Sequence, residues 1–202
     1  EYQYEAEDPN LPEIPKITPG ESQPDSERVS SFVYPGGILA VHAKGRGKDE
    51  IWTALKNKNV YGTSGPRILL WFDLINSPQG QVPMGSEIIM SQNPKFIVKA
   101  AGSFKQNPGC SNESIDSLSP GRLEYLCAGE CYNPSNEREV IERIEIIKIT
   151  PQIYAGEAVS PLIQDPWKSI PCQGTGECIV EFEDQNFSRD SVYYVRAIQK
   201  PT

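Results

Sequence analysis

The sequence predicts a mainly β protein, an antiparallel β-sandwich preceded by one βα unit. Three observations lead there. Short segments after about residue 65 alternate apolar and polar residues with a period of two, as strands with one buried face do. Proline, glycine and asparagine turns separate them, which is the rhythm of a sandwich. Ahead of them, one continuous apolar run leads into one amphipathic segment, a single strand–loop–helix unit.

Residues 1–31 are acidic and dotted with Pro9, Pro12, Pro15, Pro19 and Pro24. Such a stretch cannot bury enough apolar surface to offset its ordering entropy, so it is expected to be a linker or surface arm. The βα unit spans 32–64. Gly37 to Ala43 is apolar throughout, as a strand buried on both faces would be. After the Gly45-Arg46-Gly47 loop, Lys48 to Lys58 puts Ile51, Trp52 and Leu55 on one helical face, with acids first and lysines last. A strand of this kind calls for a parallel sheet, and no second βα unit occurs, so the chain is expected to be part of a larger protein.

The sandwich is expected over 65–202. Ile68, Leu70 and Phe72 share one face, as do Phe96, Val98 and Ala100, then Cys178, Val180 and Phe182, then Tyr193, Val195 and Ala197. The run from Arg143 to Ile149 changes phase between Ile146 and Ile147, which predicts a bulge or a crossing between sheets. Ser103 to Asn136 breaks the rhythm and holds three of the five cysteines. It is expected to be an irregular excursion pinned by them. Glu137, Arg138, Glu139, Glu142 and Arg143 read as a solvated strand edge.

Composition narrows function. With 27 acidic against 19 basic residues and a formal charge of −8, the chain repels a polyanion, and nucleic acid is excluded as a partner. No apolar run approaches a membrane span, so no membrane insertion is expected. A hydrolytic metal centre draws on several imidazoles and carboxylates, and His42 is the one histidine. A triad needs only one, but no G-x-S-x-G elbow is present.

Few residues offer chemistry. Cys127 with Cys131, and Cys172 with Cys178, are spaced as short-loop disulfides, which points to a periplasmic or secreted protein. The alternatives are buried thiols or a four-thiolate zinc knot. Cys110 has no evident partner. His42 ends its strand, where α/β folds display functional groups, and its plainer reading is a hydrogen-bonded rim histidine. The glycine-rich loop after it matches neither a dinucleotide fingerprint nor a P-loop. Thr63-Ser64-Gly65-Pro66-Arg67 combines turn amides, two hydroxyls and a guanidinium, which can hold an anion, or it is a turn entering a strand.

Tyr34 to Ala43, followed by Asp49 to Ile68, resembles the late βα segment of a bacterial domain-of-unknown-function family, family 3604. That family is related to PHP-superfamily metal hydrolases and to carbaryl-hydrolase-like proteins. Ile163 to Trp167, Cys178 to Asp184 and Tyr193 to Gln199 are similar to the same family's closing strands, with Cys110 and Leu126 to Tyr132 between. The resemblance implies that 32–64 is a remnant of a PHP-like α/β barrel and that the sandwich is an accessory domain behind it. The family's presumed metal ligands lie in H-x-H and D-T-H motifs upstream of the βα segment, and this chain contains neither. No catalytic, cofactor or metal role therefore carries over to a residue here. A divalent metal is expected in an N-terminal PHP-like domain of the same protein, the implied partner, with His42, Thr63, Ser64 and Arg67 nearest its active-site mouth. The resulting expectation is an accessory, structural region of a PHP-like metal-dependent hydrolase, inactive alone. The alternative is a stand-alone immunoglobulin-like module binding a glycan or a protein.

Overall fold

The computed structural model describes residues 36–127, 129 and 131–201. The arm expected over 1–31 lies outside them. The described chain falls within one unit, Gly36–Thr202, and is mainly β. Strand β1 (Ile38–Val41) leads into helix α1 (Lys48–Lys56) and returns as β2 (Val60–Thr63). Then come β3 (Leu69–Ser77), β4 (Gly80–Pro83), β5 (Lys95–Ala101) and β6 (Phe104–Pro108). Two short helices follow, α2 (Asn112–Ser117) and α3 (Pro120–Cys127). The chain closes with β7 (Tyr132–Arg138), β8 (Ile141–Ile149), β9 (Ile163–Pro171), β10 (Glu177–Glu183) and β11 (Val192–Gln199).

Two antiparallel sheets form the sandwich, one ordered β10-β5-β3-β4 and the other β11-β8-β9. The alternation seen in the sequence decides what lies between them. Phe96, Val98 and Ala100 of β5 are buried while Lys99 is exposed. Leu70 and Phe72 of β3 and Cys178 and Phe182 of β10 join them from the same sheet. Ile141, Ile144 and Ile146 of β8 meet them from the other, with Tyr193, Val195 and Ala197 of β11 packed alongside. Each fully buried branched side chain contributes about 1.5–3 kcal/mol relative to exposure.

The phase change in β8 has a structural counterpart. Its pairing with β9 shifts register between Ile146 and Lys148. Ile144, Ile146 and Ile147 are all fully buried, so this central strand is covered on both faces. That corrects the strand-edge reading for Glu142 and Arg143, which sit on a central strand, while Glu137 and Arg138 lie on β7 of a two-stranded sheet. On β8, Arg143 pairs with Glu142 and Glu145. Arg138, at the end of β7, donates to the Gly102 carbonyl at 2.7 Å and lies over the Phe104 ring.

The excursion between β5 and β8 is ordered rather than irregular. β6 and β7 form their own antiparallel ladder, and the two helices fill its loop. Ser111 caps α2 by accepting the Ser114 backbone N–H. Sequence alternation missed this hairpin because its strands are too exposed to carry a buried face.

The leading unit also departs from expectation. β1 pairs antiparallel with β2, from Ile38 opposite Thr63 to Val41 opposite Val60, so its neighbour within the described residues is not a parallel strand. Hydrogen bonds fasten the unit to the sandwich: the Asn59 side chain donates to Met84 O at 2.6 Å and the Tyr61 hydroxyl to Ile68 O at 3.0 Å. Gly85, with φ +86°, packs against the Asn57 and Lys58 carbonyls, where a Cβ would collide with backbone.

Candidate functional site

His42 and the turn from Thr63 to Arg67 lie at opposite ends of the β1–β2 ladder, each beside β3 or the residues leading into it. His42 follows β1, and its backbone N–H donates to Asn59 O at 2.9 Å, extending the β1–β2 ladder by one residue. Its Nε2 lies 2.8 Å from the Leu70 carbonyl oxygen. A carbonyl only accepts, so Nε2 carries the proton and donates. The ring rests between Tyr61 and Trp71, with centroids 5.4 and 5.9 Å away. This is the geometry of the hydrogen-bonded rim histidine. Burial raises the Tyr61 pKa, partly offset by a backbone hydrogen bond with Leu70, so its hydroxyl stays protonated as a donor.

Thr63 ends β2 and Arg67 precedes β3, with Ser64, Gly65 and Pro66 turning between them. Gly65 adopts φ +148°, which favours glycine. The Thr63 hydroxyl oxygen is buried without a hydrogen-bond partner. Ser64 and Arg67 are exposed. The turn therefore offers one exposed hydroxyl and one exposed guanidinium, at the Ile38–Thr63 end of the β1–β2 ladder, whereas His42 lies beyond its Val41–Val60 end.

The apolar side of the leading unit is open. Helix α1 buries only Ala54; Ile51 and Trp52, from the apolar stripe read in the sequence, are exposed, Trp52 to 57%. Ile38 and Leu39 of β1 are exposed as well, Leu39 to 59%. The sequence made Gly37 to Ala43 a strand buried on both faces, and the described residues leave half of it bare. Asp49 and Glu50 stand in the first turn of the helix, and the Glu50 carboxylate folds back beside Gly45 and Gly47.

Sequence reasoning missed an open cleft of about 750 Å³ where the two sheets part. Leu70, Phe72 and Phe96 line one side, Tyr193 and Val195 the other, and Met84 approaches from the β4–β5 connection. Strand periodicity shows which residues point inward, but not where two sheets diverge.

Cysteines complete the inventory. Cys172 and Cys178 form a disulfide between β9 and β10, with Cα atoms 5.7 Å apart. Cys110, which lacked a partner in the sequence reading, lies with Cys127 and Cys131, their sulfurs all within 4.8 Å of one another. Among the described residues this trio is the one group of three or more potential metal-ligand side chains. The two sequence pairs do not converge, so the four-thiolate knot is not assembled.

Residues 11–108 match the family model described as "Protein of unknown function (DUF3604)". The match takes in β1 through β6, including His42 and the turn from Thr63 to Arg67, and stops before the cysteine trio. No curated protein and no solved structure matches the chain. No helix among the described residues is long and apolar enough to cross a membrane.

Proposed function

We propose that this chain is an accessory region of a larger PHP-like metal-dependent hydrolase, buttressing its catalytic domain rather than performing catalysis. The carrying observation is the open apolar surface of Ile38, Leu39, Ile51 and Trp52, inside the segment that matches the family model. Apolar side chains grouped on neighbouring elements gain free energy only when something covers them. The occupant proposed is the PHP-like domain of the same protein, whose divalent metal would be held by that domain's own residues. His42 and the carboxylates near it do not fit a hydrolytic metal site. His42 is tied to the Leu70 carbonyl, and the carboxylates nearest in sequence belong to a helix start.

Oxidative footprinting of Trp52 tests this reading, comparing the present chain with a longer gene product containing the PHP-like domain. Trp52 is expected to oxidise several-fold more slowly in the longer product. Equal rates would contradict docking on this face and favour the alternative, a stand-alone immunoglobulin-like binding module whose ligand would enter the open cleft.

The turn from Thr63 to Arg67 is proposed to face the catalytic mouth and to hold an anionic group of substrate. Arg67→Ala is expected to abolish weak sulfate binding, read by chemical-shift titration of the Ser64 and Gly65 amides. Unchanged titration would leave the turn a structural element only.

A further inference from the structure

Three cysteines with mutually close sulfurs pose a problem of valence, since one sulfur of the trio is left over whenever the other two bond. The ladder between β6 and β7 sets the geometry. Pro108 pairs with Tyr132, and beyond that rung the Gly109 N–H donates to Cys131 O at 2.8 Å. The Asn133 side chain donates to Gly109 O at 2.9 Å. Cys110 and Cys131 are thereby held at the loop end of one ladder, and α3 ends by delivering Cys127 to the same place. The Cys127 sulfur lies within 4.8 Å of both neighbours' sulfurs. The backbone distinguishes the two pairings: Cα atoms are 5.1 Å apart for Cys127 and Cys131, but 7.7 Å apart for Cys110 and Cys127. The first distance lies in the ordinary disulfide range, whereas the second requires backbone movement.

We propose that Cys110, Cys127 and Cys131 form a thiol–disulfide exchange site that takes oxidising equivalents from an external disulfide and stores them as the Cys127–Cys131 bond. In the reduced trio, the Cys110 thiolate attacks one sulfur of the external disulfide. A mixed disulfide forms on Cys110, and one external thiolate leaves with the electron pair. The Cys127 thiolate then attacks Cys110 Sγ and expels the second external thiolate, giving the Cys110–Cys127 bond. Finally the Cys131 thiolate attacks Cys127 Sγ, and the electron pair returns to Cys110. Protons lost by Cys127 and Cys131 appear on the two released thiols. The net change is one external disulfide reduced and one internal disulfide formed, with Cys110 regenerated. The last step runs forward because the closer Cα pair needs no backbone movement. A closed structural zinc is the less favoured use of the trio, because such sites take four protein ligands and the described residues bring three together.

The test uses the reduced chain with 2-hydroxyethyl disulfide, acid-quenched over time, with linkages mapped by proteolysis and mass spectrometry. In the wild type, the mixed disulfide on Cys110 is expected first, then Cys110–Cys127, then Cys127–Cys131 as the end product. Cys127→Ser is expected to accumulate the mixed disulfide on Cys110. Cys110→Ser is expected to slow formation of Cys127–Cys131 roughly tenfold or more, since the positioned entry thiol is gone. Because a variant can misfold, the wild-type time course stands as a separate criterion: failure to detect Cys110–Cys127 at any time overturns the relay. An unchanged rate in Cys110→Ser overturns it too, as does one zinc per chain retained with all three thiols protected.

Discussion

Asp184→Ala is expected to destabilise the fold by about 3–5 kcal/mol, the cost of leaving a buried charge without its partner. Asp184 follows β10, and its side chain is 1% exposed. It accepts from the Lys148 ammonium, from the Tyr193 hydroxyl at 2.5 Å and from the Asn186 backbone N–H at 3.1 Å. Lys148 projects from β8 into the same interior and lies near the Trp167 and Tyr193 rings. Burial pushes the Asp184 pKa up, but the hydrogen bonds from Lys148, Tyr193 and Asn186, with the Lys148 charge, bring it below the ordinary value. A depressed folded pKa means that this stabilisation is present above the unfolded value of about 3.9 and is lost as pH falls through the folded one. Burial raises the Tyr193 pKa and the Asp184 charge raises it further, so its hydroxyl remains a donor across the neutral range. Urea denaturation is the measurement, with a lower midpoint and an unchanged slope expected. A loss under about 1 kcal/mol would show an ion pair no stronger than a surface one.

Phe96→Ala is expected to cost about 3–5 kcal/mol, the range for deleting a buried aromatic ring. The ring sits 5.2 Å from Phe72, 5.0 Å from Phe182 and 4.8 Å from Tyr193, centroid to centroid. The first two share its sheet, while Tyr193 belongs to the facing one, so the deletion loosens contact between layers. Lys99→Ala, on the opposite side of the same strand, is expected to change stability by no more than about 0.5 kcal/mol. Comparable losses for the two variants would mean that β5 does not bury the face assigned to it.

Strand positions were legible because alternation is a local signal, and burial of Leu70, Phe72, Phe96, Val98 and Ala100 follows from it directly. Neighbour relations were not, since periodicity says nothing of which strand lies beside which. Hence Glu142 and Arg143 read as part of a strand edge although β8 is central, and β1 as wanting a parallel partner although it pairs antiparallel with β2. Asp184, in Glu183-Asp184-Gln185-Asn186, reads as an ordinary polar turn; its burial depends on Lys148, 36 residues away. Cys110 was legible as an odd cysteine, but its neighbours are set by the β6–β7 ladder. His42 and the Thr63–Arg67 turn were located by composition alone; the antiparallel β1–β2 register, which places them at opposite ends of the ladder, was not legible.

If these residues support a catalytic domain and do not themselves catalyse, the isolated chain should lack hydrolytic turnover. The purified chain, with zinc or manganese added, should be assayed against phosphate-ester and carbamate substrates beside a His42→Ala control. Turnover no faster than that of the metal in buffer is expected, with wild type and control alike. Metal-dependent turnover by the wild type that disappears in His42→Ala would contradict this expectation and place a working site within this chain.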